Sequence, residues 1–154
     1  MAGAKATKIL RAALVLLMLT LADLGAFGQG PYPITITRIR MLDITGNPQT
    51  DFTKGALAVV EVTLQAQFYG PSLSYLLIVE IFDPSGHVAY IGFVTDSILP
   101  GQTKTSGTGY SIPMNAQTGT YTVKVFIWNG WPSQQGGNWA ALATQGQVTF
   151  TVSG

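Results

Sequence analysis

The sequence predicts an all-β fold, a seven-stranded antiparallel sandwich preceded by an N-terminal hydrophobic signal helix. Three observations carry this. Residues 118–128 alternate strictly, with Tyr121, Val123, Val125 and Ile127 on one face and Thr122, Lys124, Phe126 and Trp128 on the other, the two-residue period of a strand in a packed sheet. Runs of the same kind recur with Gly-, Pro- and Asp-containing turns between them, and no amphipathic helical period follows the leader. The chain has no cysteine, so apolar packing alone must hold the fold, and thiolate metal sites and disulfide staples are both excluded.

Residues 1–11 carry Lys5, Lys8 and Arg11, and the next eleven are apolar apart from Thr20. That run falls short of the roughly 20 residues that cross a bilayer as a helix. Ala26-Phe27-Gly28 sets small residues at the −3 and −1 positions of a cleavage site, with Gln29 as the new terminus. The expectation is a signal peptide over 1–28 and one domain over 29–154, hence a secreted or cell-surface protein. Two rival fates stay open. The leader is kept as an anchor, with the membrane engaged through residues 9–28, or the chain is cut at Arg11-Ala12 in the manner of pilins. Against the pilin route, no Glu stands five residues into the apolar run.

Pro31-Tyr32-Pro33 makes an extended start. Ile34 and Ile36 alternate with threonines, after which the apolar register moves to Ile39 and Met41. A one-place slip flips the buried face, so a bulge or a change of sheet is expected near Thr37-Arg38. Residues 56–69 form the clearest half-buried strand. Residues 74–82 are apolar on both faces except at Glu80, as suits a mid-sheet strand with one face partly covered. Asp83-Pro84-Ser85-Gly86 has the chemistry of a type I turn, and 87–95 returns as the hairpin partner. Residues 103–112 read as a weaker, Gly-rich edge strand. The strand at 118–128 is taken as the central one, 129–144 as a long loop, and 146–152 as the closing strand. At the start of the central strand, Gly119 and Tyr121 carry the trace of a tyrosine corner.

The strand order, the Gly119-Thr120-Tyr121 corner, the Leu99-Pro100-Gly101-Gln102-Thr103 turn and the closing Val148-Thr149-Phe150-Thr151-Val152 resemble immunoglobulin-like and fibronectin-III-like modules. The chain is similar in particular to the CARDB-like adhesion-type domains of archaeal and bacterial surfaces. The likeness covers about residues 34 to 153 and holds at the level of fold. It departs from antibody domains in lacking the inter-sheet cysteines and the core Trp of the third strand, where Leu76 to Ile81 stand. It implies adhesion, cell-envelope or filament architecture, and it brings no catalytic residues.

The residues themselves offer little chemistry. His87 is the only histidine and follows a turn, so no hydrolytic triad of the usual composition can form. The carboxylates stand singly. A calcium ion between Asp43 and Asp51 is chemically possible, but no ligand loop surrounds them and solvated turn acids are the better reading. No catalytic, metal or cofactor site is expected, and the protein is not read as an enzyme. Beyond the leader, five cations face six anions, too sparse a field to collect nucleic acid.

One patch is unusual. All three tryptophans lie within residues 128–139. Trp128, Asn129, Trp131, Gln134, Gln135, Asn138 and Trp139 are therefore the candidate contact residues. Trp faces stack on sugars and amides bond hydroxyls, while buried Trp anchors dominate many protein contacts. In the plainest reading, Trp128 packs on a neighbour while Trp131 and Trp139 cap the open end of the sandwich. The resulting expectation is an exported structural or adhesive module, with other cell-surface proteins or its own copies as partners. A glycan-binding loop is the alternative. A filament subunit built by strand addition through residues 33–41 is the third reading.

Overall fold

The computed structural model describes residues 32–154. The predicted signal helix and its cleavage residues Ala26, Gly28 and Gln29 lie outside the described residues. Eight strands form two sheets: β1 (Ile34–Leu42), β2 (Asp51–Thr53), β3 (Leu57–Ala66), β4 (Leu73–Phe82), β5 (Val88–Ile98), β6 (Thr103–Ser111), β7 (Gly119–Trp128) and β8 (Gly146–Ser153). One sheet runs β1-β3-β6 and the other β2-β8-β7-β4-β5.

In the three-stranded sheet, the register between β1 and β3 shifts between Ile36 and Arg38. Before the shift Ile34 and Ile36 oppose Ala66 and Leu64, and after it Ile39 and Met41 oppose Val62 and Val60. The extra residue thus returns every isoleucine of β1 to the inner face, which is the bulge that the slipped alternation calls for. The Thr37 hydroxyl donates to the Thr63 carbonyl at 3.1 Å and spans the gap left in the ladder. β6 is the far edge of this sheet.

In the five-stranded sheet β7 is the middle strand, flanked by β8 and β4. Tyr121, Val123, Val125 and Ile127 point inward and are buried, against Leu77, Val79 and Ile81 of β4 and Ala58, Val60, Val62 and Leu64 of β3 in one core. Phe150 completes it, stacked on Tyr121 at 5.2 Å and edge-on to Phe52 at 5.6 Å. Gly119 opens β7 close against the Pro84 ring, and the Tyr121 hydroxyl donates to the Gln117 carbonyl at 2.9 Å, tying the strand to the connection before it.

The expected count of seven antiparallel strands is corrected, among the described residues, to eight with one parallel pair. β2 runs parallel to β8, with Phe52 beside Val152. Three residues with a single apolar side chain present no alternation, so the sequence pattern could not reveal this strand.

Two turns at one end of the sandwich are built alike. Asp43 accepts from the amides of Thr45 and Asn47, and Asp83 from those of Ser85 and His87, each at 2.8–2.9 Å. Gly46 (φ +86°) and Gly86 (φ +82°) take the left-handed residue that closes each turn.

Candidate functional site

The outer face of the five-stranded sheet is apolar where its centre would ordinarily meet water. Leu76 and Ile78 alternate with the inward Tyr75, Leu77 and Val79, so they point outward, yet they are only 1% and 4% exposed. Cross-strand neighbours explain this. Leu76 lies opposite Trp128 on one side and Thr95 on the other, and Ile78 opposite Phe126 and Phe93. Trp131 then reaches from the β7–β8 connection and sets its ring edge-on to Phe93 at 5.3 Å, while Trp139 sits edge-on to Trp128 at 5.1 Å. Both are favourable aromatic arrangements. The cover is incomplete, because Ile91 and Phe93 on β5 stay 53% and 58% exposed.

The connection is held as an arm. Its base is bridged between Trp128 and Ala141, with the Asn129 amide donating to Ala140 and the Leu142 amide to Ile127 at 2.7 Å. The Asn129 side chain adds a clasp, donating to the Asn138 carbonyl at 2.7 Å and accepting from the Ala140 amide at 2.9 Å. A single 3-10 turn, Pro132–Gln134, follows Trp131, where proline suits the first position. The end of the sandwich is closed by Leu142 and Ala143, which join the core. The tryptophans instead lie against the sheet, and that differs from a cap over the end.

Of the seven candidate residues, Trp128, Trp131 and Trp139 come together on this face. The Asn129 amide is engaged within the arm, and Gln135 packs its amide beside Gly130. Gln134 and Asn138 are exposed near the rim. Sequence reasoning passed over Ile91, Phe93 and Phe126. The available signal was the apolar character of residues 74–82 on both faces, which requires a cover from both neighbouring strands.

Elsewhere the polar groups serve structure. Hydrogen bonds from the Thr45 hydroxyl, and then from the Asn47 amide, hold the Asp43 carboxyl below its ordinary range. Asp51 accepts from the Thr151 hydroxyl. His87 is exposed, 3.7 Å from Asp83. Lys104 on β6 meets Asp96 on β5 at 2.6 Å, joining the edges of the two sheets, and lowers that carboxyl's pKa, with the Ser97 amide assisting. Burial raises the pKa of Tyr75, Tyr110 and Tyr121. Among the described residues no cluster of three acidic, His or Cys side chains could hold a metal ion, and no helix is long and apolar enough to cross a membrane.

No protein-family model matches the sequence, and no curated protein matches it. Solved structures do. The C-terminal domain of wzt superposes with a TM-score of 0.65 at 12% identity, over 81% of this chain and 76% of that one. A β-glucuronidase from glycoside hydrolase family 2 gives 0.57 at 18% identity, over 78% of this chain but only 13% of the enzyme. The CARDB domain of a Pyrococcus furiosus protein, solved in complex with di-metal ions, gives 0.48 at 16% identity, over 81% of this chain and 97% of that one. At these identities the likeness is one of fold. The chain folds as an immunoglobulin-like β-sandwich module.

Proposed function

We propose that this protein is a non-enzymatic structural or adhesive module of the cell surface that docks a protein partner on the aromatic outer face of its five-stranded sheet. The half-covered cluster of Ile91, Phe93 and Trp131 carries this reading. Leu76 and Ile78 are sealed beneath, while Ile91 and Phe93 stay open to solvent at the rim. A cluster of this composition gains on burial against another protein, at about 25 cal/mol per Å² of apolar surface. Aliphatic Ile91 and edge-on rings suit a protein better than a sugar, which needs open ring faces and convergent hydrogen-bonding groups. The surface location rests on the leader.

A photo-crosslinking residue placed at Phe93 in the producing cells tests this. One dominant protein adduct, absent when the same residue replaces Thr105 on the opposite sheet, is the expected result. Equal labelling at both positions would overturn the reading.

The exposed amides of Gln134 and Asn138 beside Trp131 and Trp139 support a second reading, glycan binding. A glycan array that scores with the native chain and fails with Gln134→Ala plus Asn138→Ala would favour it. Strand addition through β1 finds less support, because the bulge at Thr37 and the charges of Arg38 and Arg40 mark a protected edge.

A further inference from the structure

β5 is the edge of the five-stranded sheet beyond β4, and its free side presents a definite set of backbone groups. The Lys104 ammonium reaches the Ser97 carbonyl from β6 at 2.9 Å, so that carbonyl points away from β4. By the two-residue period the amides and carbonyls of Ile91, Phe93 and Thr95 point the same way, while those of Gly92, Val94 and Asp96 turn to their β4 partners. Among the described residues no strand pairs with that side, and no loop backbone bonds to Ile91, Phe93 or Thr95. The free stretch has two natural ends. The register with β4 passes from Ile81 opposite Tyr90 to Phe82 opposite Val88, which makes Ala89 an extra, bulged residue, and Lys104 caps Ser97 at the other end.

The remaining edges are protected in ways that β5 is not. β1 is bulged and carries Arg38 and Arg40, β6 is loosened by Gly107 and Gly109, and β8 is flanked by β2 along 151–153 with polar Gln147 and Thr149 before it. β5 instead shows solvent Ile91 and Phe93, and its one charge, Asp96, is held by Lys104. A free edge of this kind is a template for another strand.

Residues 91–95 are their own complement. Laid antiparallel on the same stretch of a second copy, they set Phe93 opposite Phe93 and Ile91 opposite Thr95, and every free amide and carbonyl of the stretch finds a partner. Sliding the pairing by two residues brings in the bulged Ala89 one way and the capped Ser97 the other. The two-fold axis of such a pair stands perpendicular to the sheet, so both outer faces lie on the same side and the exposed Ile91 and Phe93 side chains of the two copies meet.

We propose that two copies of this chain pair through β5 about a two-fold axis at Phe93, joining their five-stranded sheets into one. The proposal rests on the reading that this face docks a protein, and it names that protein as a second copy.

The chain has no cysteine, so an introduced thiol reports on pairing alone. Residues opposite each other in a bonded antiparallel pair have Cα atoms about 5.5 Å apart, within the span of a disulfide. Full-length protein carrying Phe93→Cys, oxidised in the producing cells, is expected to form a disulfide-linked dimer at least about tenfold faster than protein carrying Thr105→Cys on β6, because pairing raises the local thiol concentration. Ile91→Cys and Thr95→Cys should each stay unlinked alone, and the two combined in one chain should link. That pattern follows from this register and leaves Phe93 in place. Equal rates at positions 93 and 105 would overturn the proposal, as would linking by Ile91→Cys alone. If Phe93→Cys and the combined variant stay unlinked while the photo-crosslinker at Phe93 captures one different protein, the second copy is wrong and face docking stands. Equal photo-labelling at Phe93 and Thr105 would remove face docking itself.

Discussion

Outward side chains of the three-stranded sheet include Arg38, Arg40, Glu61, Thr63, Gln65 and Thr105, whereas those of the five-stranded sheet include Leu76, Ile78, Ile91, Phe93, Phe126 and Trp128. The first face follows the ordinary rule for an antiparallel sandwich, apolar inside and polar outside. It holds its charges locally, with Arg40 on Glu61 at 2.6 Å and Arg38 at 3.8 Å. The second behaves as a further, smaller core, roofed by an arm from the chain itself. The difference between the two faces therefore lies in what the chain itself covers, since the arm buries Leu76 and Ile78 on a face that would otherwise meet water.

If the roofed face is a core, Leu76→Ala should cost about 3 kcal/mol in urea unfolding, as buried leucines do. Thr105→Ala, on the polar face, should cost about 0.5 kcal/mol. Similar values for the two would erase the distinction. Loosening the roof without touching the sheet gives a sharper test. Asn129→Ala removes two hydrogen bonds of the arm and should cost about 1.5 kcal/mol, with a red shift of the tryptophan emission. An unshifted spectrum would mean that the arm is held by its rings alone.

Smaller effects are expected on the polar side. Arg40 is 36% exposed at its side chain, so Arg40→Ala should cost no more than about 0.5 kcal/mol and lose even that at high salt. The smallest concerns the seam between the sheets. The Asp96 carboxyl is lowered from its ordinary 3.8 by Lys104, so its contribution is fully present above that value and is lost as the pH falls through the lowered one. Acid titration of native-state exchange at β5 and β6 should show this loss, and Asp96→Asn should abolish the dependence.

Much of the fold was legible because it rests on local rules. Period-two alternation located the long strands, the slip after Ile36 announced the bulge, and glycines at 107 and 109 marked β6 as an edge. β2 was not legible, since three residues carry no period and its parallel pairing with β8 joins positions about one hundred apart. The site was legible by composition and not by placement. Three tryptophans in twelve residues announce a feature, but their support comes from Phe93 on another hairpin. Nor does local sequence reveal whether an amide such as that of Asn129 is free for a ligand or spent on backbone.

β1 starts at the end of the sandwich where β7 finishes, and β8 finishes at the opposite one. Tension applied between these two points therefore runs along the strands and loads the ladders of β1 with β3 and of β8 with β7 in shear, so that many bonds must break together rather than one at a time. The short parallel strand β2 adds a second ladder to β8 on the same line of force. A sandwich threaded in this way resists pulling along its length far better than across it, a property that single-molecule extension between Ile34 and Ser153 would read as a high unfolding force.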